Sequence, residues 1–318
     1  MNAITSAPAK IILFGEHSVV YGEPAIAMAI NKGVTVQIKK GSASQTIVKS
    51  KDLDFQAKLN TRKGIYHLKH GKPGIIKYIL ATLGEVHNHT PIDIDIGLNF
   101  PIGSGMGSSA ALTVALLSAI YQYNGEDVDK DFIAKKAHSI EVKVQGAASP
   151  LDTSVSTYGG LIYLNEKRQI KKMKSKIDDA FVAGFTSKKG STAQMVKNVG
   201  ILKEKFPKIM DPTIHTMGEI TREAKKSIES GNSDKIGELM NINHGLLDCI
   251  GVNTKELSRM VYVSRNAGAV GSKITGSGGG GSILAYCPNK INKVYKTLNK
   301  YERAIKVRVA SEGLKIIN

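Results

Sequence analysis

The chain has 318 residues and a formal charge of +17, from 44 Lys and Arg against 27 Asp and Glu. This length suggests about two domains with an ample core, and 42% hydrophobic with 22% charged residues excludes a disordered chain. Only two cysteines occur, Cys249 and Cys287, which excludes a disulfide framework and a cysteine-based zinc site. The positive charge is carried by 37 Lys and seven Arg, in small groups such as Lys171-Lys172 and Lys188-Lys189. Arg is the preferred reader of bases and phosphates in nucleic-acid complexes. A solvated, lysine-rich surface is therefore preferred over nucleic-acid binding.

In chain order, Ala3 to Phe14 reads as a strand interrupted by Lys10, with no uninterrupted apolar signal core. Val34 to Ile38 alternates with period two. Helical spacing follows at Ile75, Ile76, Ile79, Leu80, Leu83 and Val86. Ile92 to Leu98 is the cleanest strand, with Ile92, Ile94, Ile96 and Leu98 on one face. An Ala- and Leu-rich helix runs from Gly107 to about Tyr121, and its apolar run is far short of the ~20 residues a membrane span needs. Another helix covers about 131–144. The charged stretch Glu166 to Asp179 is a candidate linker. Beyond it come a strand at 180–186 and helices over roughly 191–205, 209–230, 233–250 and 254–267. Strands at 271–275 and 282–286 flank a Gly-rich turn, and a helix near 290–299 and a strand near 303–310 follow.

Three segments stand out. In the first, Pro8 to Gly22, a lysine sits inside a strand pattern and a turn carries Glu16 and His17. Lys10 is either snorkelling on an exposed face or buried with a partner, since an unpaired buried ammonium is costly. Glu16 and His17 read equally well as turn residues. The second segment, Pro101 to Ala111, has alternating glycines between a strand and a helix. Such glycines let the backbone approach a ligand, and the helix start offers free N–H groups to a phosphate. A Ser-capped Gly turn is the alternative, but Gly103, Gly105 and Gly107 with Ser108-Ser109 are more than a cap needs. No Walker-type G-x-x-x-x-G-K-[ST] occurs. The third segment, Lys273 to Ser282, resembles a flexible linker in composition, yet apolar residues abut it on both sides. A Gly-rich turn between packed strands fits better.

Ser149-Pro150-Leu151-Asp152 has the pattern of a helix start, with Asp152 in the first turn. Cap and catalytic base are indistinguishable from these four residues. His87-Asn88-His89 reads as a solvated turn rather than a metal site. Cys287, before Pro288, reads as a buried thiol rather than a nucleophile.

Together the three segments resemble the three motifs of the GHMP kinase superfamily, in order, over residues 8 to 282. Gly15 to Gly22 is similar to the G-E-H-x-V-V-x-G stretch of the mevalonate kinases, and Asp152 to Gly160 to their D-x-x-V-S-T-[WYF]-G-G. The resemblance implies an α+β fold of two domains. Residues 1–172 would form a ribosomal protein S5 domain 2-like domain carrying the phosphate loop and the catalytic residues, and residues 173–318 a ferredoxin-like domain. It implies an ATP- and Mg²⁺-dependent transfer of phosphate to the C5 hydroxyl of (R)-mevalonate, giving 5-phosphomevalonate for isoprenoid biosynthesis. Mevalonate and ATP would be the partners, with no nucleic acid and no membrane. A cytoplasmic location is expected from the two cysteines and the absence of a signal core or membrane span, and a homodimer is admitted.

Residue by residue, the resemblance makes Lys10 and Asp152 the catalytic pair, and Ser109 and Glu141 the Mg²⁺ ligands. Gly103, Ser104, Gly105, Met106, Gly107, Ser108, Ser109 and Ala110 would cradle the nucleotide. Lys10, Glu16, His17, Asp152 and Thr192 would line the acceptor. Pro150 departs from the Gly of many relatives and stiffens that turn. Phosphomevalonate and homoserine kinases are alternatives that the first motif disfavours. A non-catalytic relative is disfavoured by the joint presence of Lys10, Ser109, Glu141 and Asp152.

Overall fold

The structure is a computed structural model and describes residues 2–86, 90–101, 105–146, 148–177, 180–188 and 190–317. The His87-Asn88-His89 turn, Gly103 and Ser104 of the phosphate loop, and Lys189 lie outside the described residues.

The first half runs β1 (Asn2–Phe14), β2 (Ala25–Lys40), β3 (Thr46–Ser50), β4 (Phe55–Asn60), β5 (Ile65–His70), α1 (Ile76–Glu85), β6 (Ile92–Leu98), α2 (Ser108–Asn124), α3 (Lys130–Gln145), α4 (Pro150–Tyr158), β7 (Leu161–Leu164) and β8 (Ile170–Met173). The second half runs β9 (Phe181–Phe185), α5 (Thr192–Lys205), α6 (Pro207–Ser230), α7 (Ser233–Cys249), α8 (Lys255–Asn266), β10 (Gly271–Thr275), β11 (Ser282–Tyr286), α9 (Ile291–Leu298), β12 (Arg303–Val307) and β13 (Lys315–Ile317).

Two sheets result. The larger has the order β13-β1-β2-β6-β3-β4-β5, with β7 also on β2 and β8 on β7. The smaller has the order β10-β11-β9-β12, every pair antiparallel. That is the strand order of a ferredoxin-like unit, as expected for the second half. The last strand leaves that unit, and β13 pairs with β1 of the larger sheet.

The long β1–β2 ladder organises the first half. Its register shifts between Pro8 and Lys10. There the Lys10 N–H leaves the ladder and donates to Met106 O at 3.0 Å, so the bulge ties the strand to the phosphate loop. Ile11, Leu13, Phe14, Ile26, Met28 and Ile30 are fully buried around it. Truncating such a side chain as Phe14 to Ala costs about 3–5 kcal/mol. α2 is apolar on all sides, buried from Ala110 to Tyr121, and packs on β1 and β2 between α1, α3 and α4. No helix among the described residues is long and apolar enough to cross a membrane.

The expected linker at 166–179 is different in the structure. Residues 170–173 form β8, held to β7 by a full antiparallel ladder. Of its four side chains only Met173 is buried, so the strand has no apolar pattern to be read. The strand expected near 303–310 ends at Val307.

Candidate active site

Lys10 stands in the Pro8–Lys10 bulge of β1 with its ammonium 2.9 Å from Asp152 Oδ1. Asp152 lies in the first turn of α4. Pro150 occupies the start of that helix, and Ser149 Oγ accepts from the Leu151 N–H at 3.2 Å. Capping is thus the work of Ser149, while the Asp152 carboxylate reaches Lys10. The Lys10 side chain is 6% exposed and that of Asp152 33%. The lysine is enclosed, and its carboxylate partner is open to solvent.

Gly107 precedes α2 in the left-handed conformation, φ 66, and no side chain caps the helix. A Cβ at Gly107 would stand 2.6 Å from Lys10 Cγ, so glycine is required where the loop crosses the lysine stem. The first-turn N–H groups of α2 therefore point out unclaimed by any capping side chain, as an anion-binding helix start demands. Ser109, in that turn, donates to Glu141 Oε2 at 2.9 Å. Thr113, one turn on, donates to Oε1 at 2.9 Å, and Gln145 Nε2 also bonds Oε2. Burial pushes the Glu141 carboxyl up and the nearby Asp152 charge adds to that, while the three donors pull it back. Tyr78 of α1 brings its hydroxyl to Ser109.

A hydroxyl and a buried carboxylate converging on a helix start fit Mg²⁺, which takes one or two carboxylates plus phosphate oxygens and water. They do not form an all-protein cage, and no group of three His, Cys, Asp or Glu able to hold a metal occurs among the described residues.

His17 carries a positive φ of 60, an uncommon conformation for a residue with a side chain. Its Nε2 donates to Ser277 O at 2.9 Å, in the Gly-rich turn between β10 and β11. Burial lowers the His17 pKa, and the Ser277 carbonyl opposes this. Thr192, at the start of α5, donates to Ser277 Oγ at 3.3 Å. Glu16 is placed differently from a residue in contact with an acceptor. Its side chain is 0% exposed and pairs with Lys273, equally enclosed. Cys287 is a buried thiol, pushed up to about 12 by burial. A cavity of about 620 Å³ beside Pro8, Gly33, Asp52 and Asn99 contains none of Lys10, Ser109, Glu141 or Asp152.

The structure thus brings Lys10 to Asp152 and Ser109 to Glu141, and the Asp152 and Glu141 charges within reach of each other. It adds residues that sequence reasoning missed: Thr113, Gln145 and Tyr78 around Glu141, and Lys273 and Asn243 around Glu16. Thr113 and Gln145 had a signal, since Thr113 lies four residues after Ser109 and Gln145 four after Glu141, on the same helix faces.

Residues 73–160 match the family profile "GHMP kinases N terminal domain", and residues 224–304 match "GHMP kinases C terminal". The mevalonate kinase of Methanothermobacter thermautotrophicus is 45% identical over 99% of this chain and 100% of its own length. That of Pyrococcus horikoshii is 38% identical over 98% of this chain and 97% of its own. Among solved structures, Methanococcus jannaschii mevalonate kinase superposes with a TM-score of 0.83 at 30% identity, covering 98% of each chain. L. major mevalonate kinase in complex with R-mevalonate superposes at 0.82 with 25% identity, over 97% of this chain and 96% of that one. The three motifs, the two profiles and these full-length relatives agree: the chain belongs to the mevalonate kinases of the GHMP kinase family.

Proposed function

We propose that the chain is a mevalonate kinase, transferring the γ-phosphoryl group of ATP to the C5 hydroxyl of (R)-mevalonate in the cytoplasm. The observation that carries this is the Lys10–Asp152 pair beside the uncapped start of α2. Phosphoryl transfer needs positioning and charge stabilisation more than covalent help from the protein. Asp152, the accessible member, accepts the hydroxyl proton. Lys10 orients that carboxylate and draws charge from the attacking oxygen. The α2 N–H groups and the loop from Gly103 to Ala110 hold the triphosphate. Ser109 and Glu141 would hold Mg²⁺, which supplies charge neutralisation on the phosphates when bound. His17 and Thr192 line the acceptor side through their shared contact with Ser277. The proposed division into domains, between residues 172 and 173, falls within β8.

ADP release with mevalonate as the sole acceptor, with and without Mg²⁺, tests this. Turnover with mevalonate and none with homoserine or phosphomevalonate is expected. Preference for either of the others overturns the assignment.

A further inference from the structure

Near Lys10 lies a second lysine–carboxylate pair that the transfer chemistry leaves unused. Lys273 Nζ bonds Glu16 Oε1 and also donates to Ile274 O at 2.8 Å. Asn243 of α7 donates to Glu16 Oε2 at 3.4 Å. Burial pushes the Glu16 carboxyl up and the Lys273 ammonium down, and each charge restrains the other's shift. Lys10 also lowers the Glu16 pKa, so the two pairs are electrostatic neighbours.

Lys273 is not alone. Residues 273 and 275 alternate along β10, and alternate residues of a strand share a face; Gly276, with φ 83, then turns the chain so that the Ser277 carbonyl follows them. All three meet the first motif. Lys273 pairs with Glu16, Thr275 Oγ1 donates to Ile12 O at 2.9 Å, and Ser277 O accepts from His17 Nε2 at 2.9 Å. Between the last two, Gly276 lies against the phosphate loop, where a Cβ would stand 3.8 Å from Gly105 Cα. A shift of β10 at Lys273 is thereby passed to the turn that faces the phosphate loop.

We propose that Glu16 and Lys273 are positioning residues. Their ion pair fixes the register of β10 on the first motif and so sets how the Gly-rich turn faces the phosphate loop, and neither side chain touches substrate. Both side chains are sealed at 0% exposure, which closes them to an acceptor. An apolar pair of similar volume would serve stability as well or better, whereas a buried ion pair admits one register. The proposal rests on the Lys10–Asp152 pair being the site of transfer.

The test is a double-mutant cycle in the full chain with Glu16→Gln, Lys273→Met and both together, assayed well below every melting midpoint. kcat, both KM values and the Kd of a fluorescent ATP analogue are measured. Each single substitution is expected to lower kcat about 10- to 100-fold, as misplacement does, with mevalonate KM little changed. The double variant is expected to be no worse than the poorer single. Thr275→Val, one rung along, should lower kcat in the same way by a smaller factor. If the singles do not fold, the combination Glu16→Leu with Lys273→Met, which leaves no buried charge, carries the test through its kcat. A large rise in mevalonate KM at preserved kcat in Glu16→Gln overturns the proposal by making Glu16 a substrate contact. Additive losses in log kcat, or wild-type kinetics with only a lowered midpoint, overturn it as well. The functional assignment fails separately, by absence of wild-type turnover with mevalonate, and the analogue Kd still reads the clamp in that case.

Discussion

Two lysine–carboxylate pairs stand side by side in this molecule, and they differ chiefly in access to water. In each the lysine comes from a strand. In each the acid comes from elsewhere in the fold, Asp152 from a helix start and Glu16 from the turn after β1. Asp152 is a third exposed, so water or a substrate hydroxyl can reach its free oxygen. Glu16 and Lys273 are sealed, and the bonds they make run to each other, to Asn243 and to the Ile274 carbonyl. Identical functional groups are thus left open to a reacting hydroxyl in one place and closed to it in the other, which is why proton transfer is proposed for the first and a hold on register for the second. Burial, rather than residue type, makes the distinction.

The largest effect should come from the open pair. Asp152→Asn keeps the shape and removes the proposed proton acceptor, so a loss of about 10²- to 10⁴-fold in kcat is expected in a protein that still folds, with a lowered midpoint because enclosed Lys10 loses its partner charge. ADP release and a thermal melt on one preparation check this, and an undiminished kcat would leave Asp152 a structural residue of α4. Lys10→Met should lower kcat more than it raises the KM for mevalonate, because its charge acts on the transition state.

The sealed pair should respond in stability. Lys273→Met strands the Glu16 carboxylate in the core, and removing one partner of a buried pair costs about 3–5 kcal/mol. Adding Glu16→Leu should restore the midpoint to near that of the wild type. Chemical denaturation of the three proteins decides, and a double variant less stable than the single one would mean that packing, not stranded charge, sets the cost. The comparison sharpens here, since the same removal at Lys10 leaves an acid that water can solvate and should cost less.

A smaller change is expected at Thr113, which touches Glu141 but stands behind it. Thr113→Val preserves shape and deletes one donor. Groups that orient a metal ligand are worth about 10- to 100-fold in metal affinity. Titration of Mn²⁺ against the nucleotide complex by electron paramagnetic resonance reads this without turnover, and an unchanged affinity would reduce Thr113 to a helix-packing residue.

What could be read in advance follows from how local each cause is. Ile92 to Leu98 was legible because one face is buried and alternation survives in the sequence. β5 was not, for its six side chains lie on an edge with none buried, and the pattern that marks a strand is missing. β8 reads as a linker for the same reason, with one buried side chain in four. In the site, the phosphate loop was legible because glycine spacing is a backbone requirement. The partner of Lys10 was not derivable from periodicity, since Asp152 is far along the chain. It came from the resemblance to known kinases, and so did the metal pair. Lys273 was hidden inside an apolar strand run, its charge matched only through a contact across 257 residues.

The smallest effect tests whether the open pair depends on the local stiffness of its helix. Ser149→Ala removes the hydroxyl that accepts from the Leu151 N–H and should cost about 1 kcal/mol of stability. Pro150 still fixes the first helical φ, and the Asp152 N–H still donates to Ser149 O at 3.3 Å, so the carboxylate keeps its place. The midpoint should therefore fall by a few degrees with kcat nearly intact. A kcat loss approaching that of Asp152→Asn would show instead that the cap is what aims the carboxylate at Lys10. The geometry of the open pair would then be as dependent on one hydrogen bond as that of the sealed pair is on one charge.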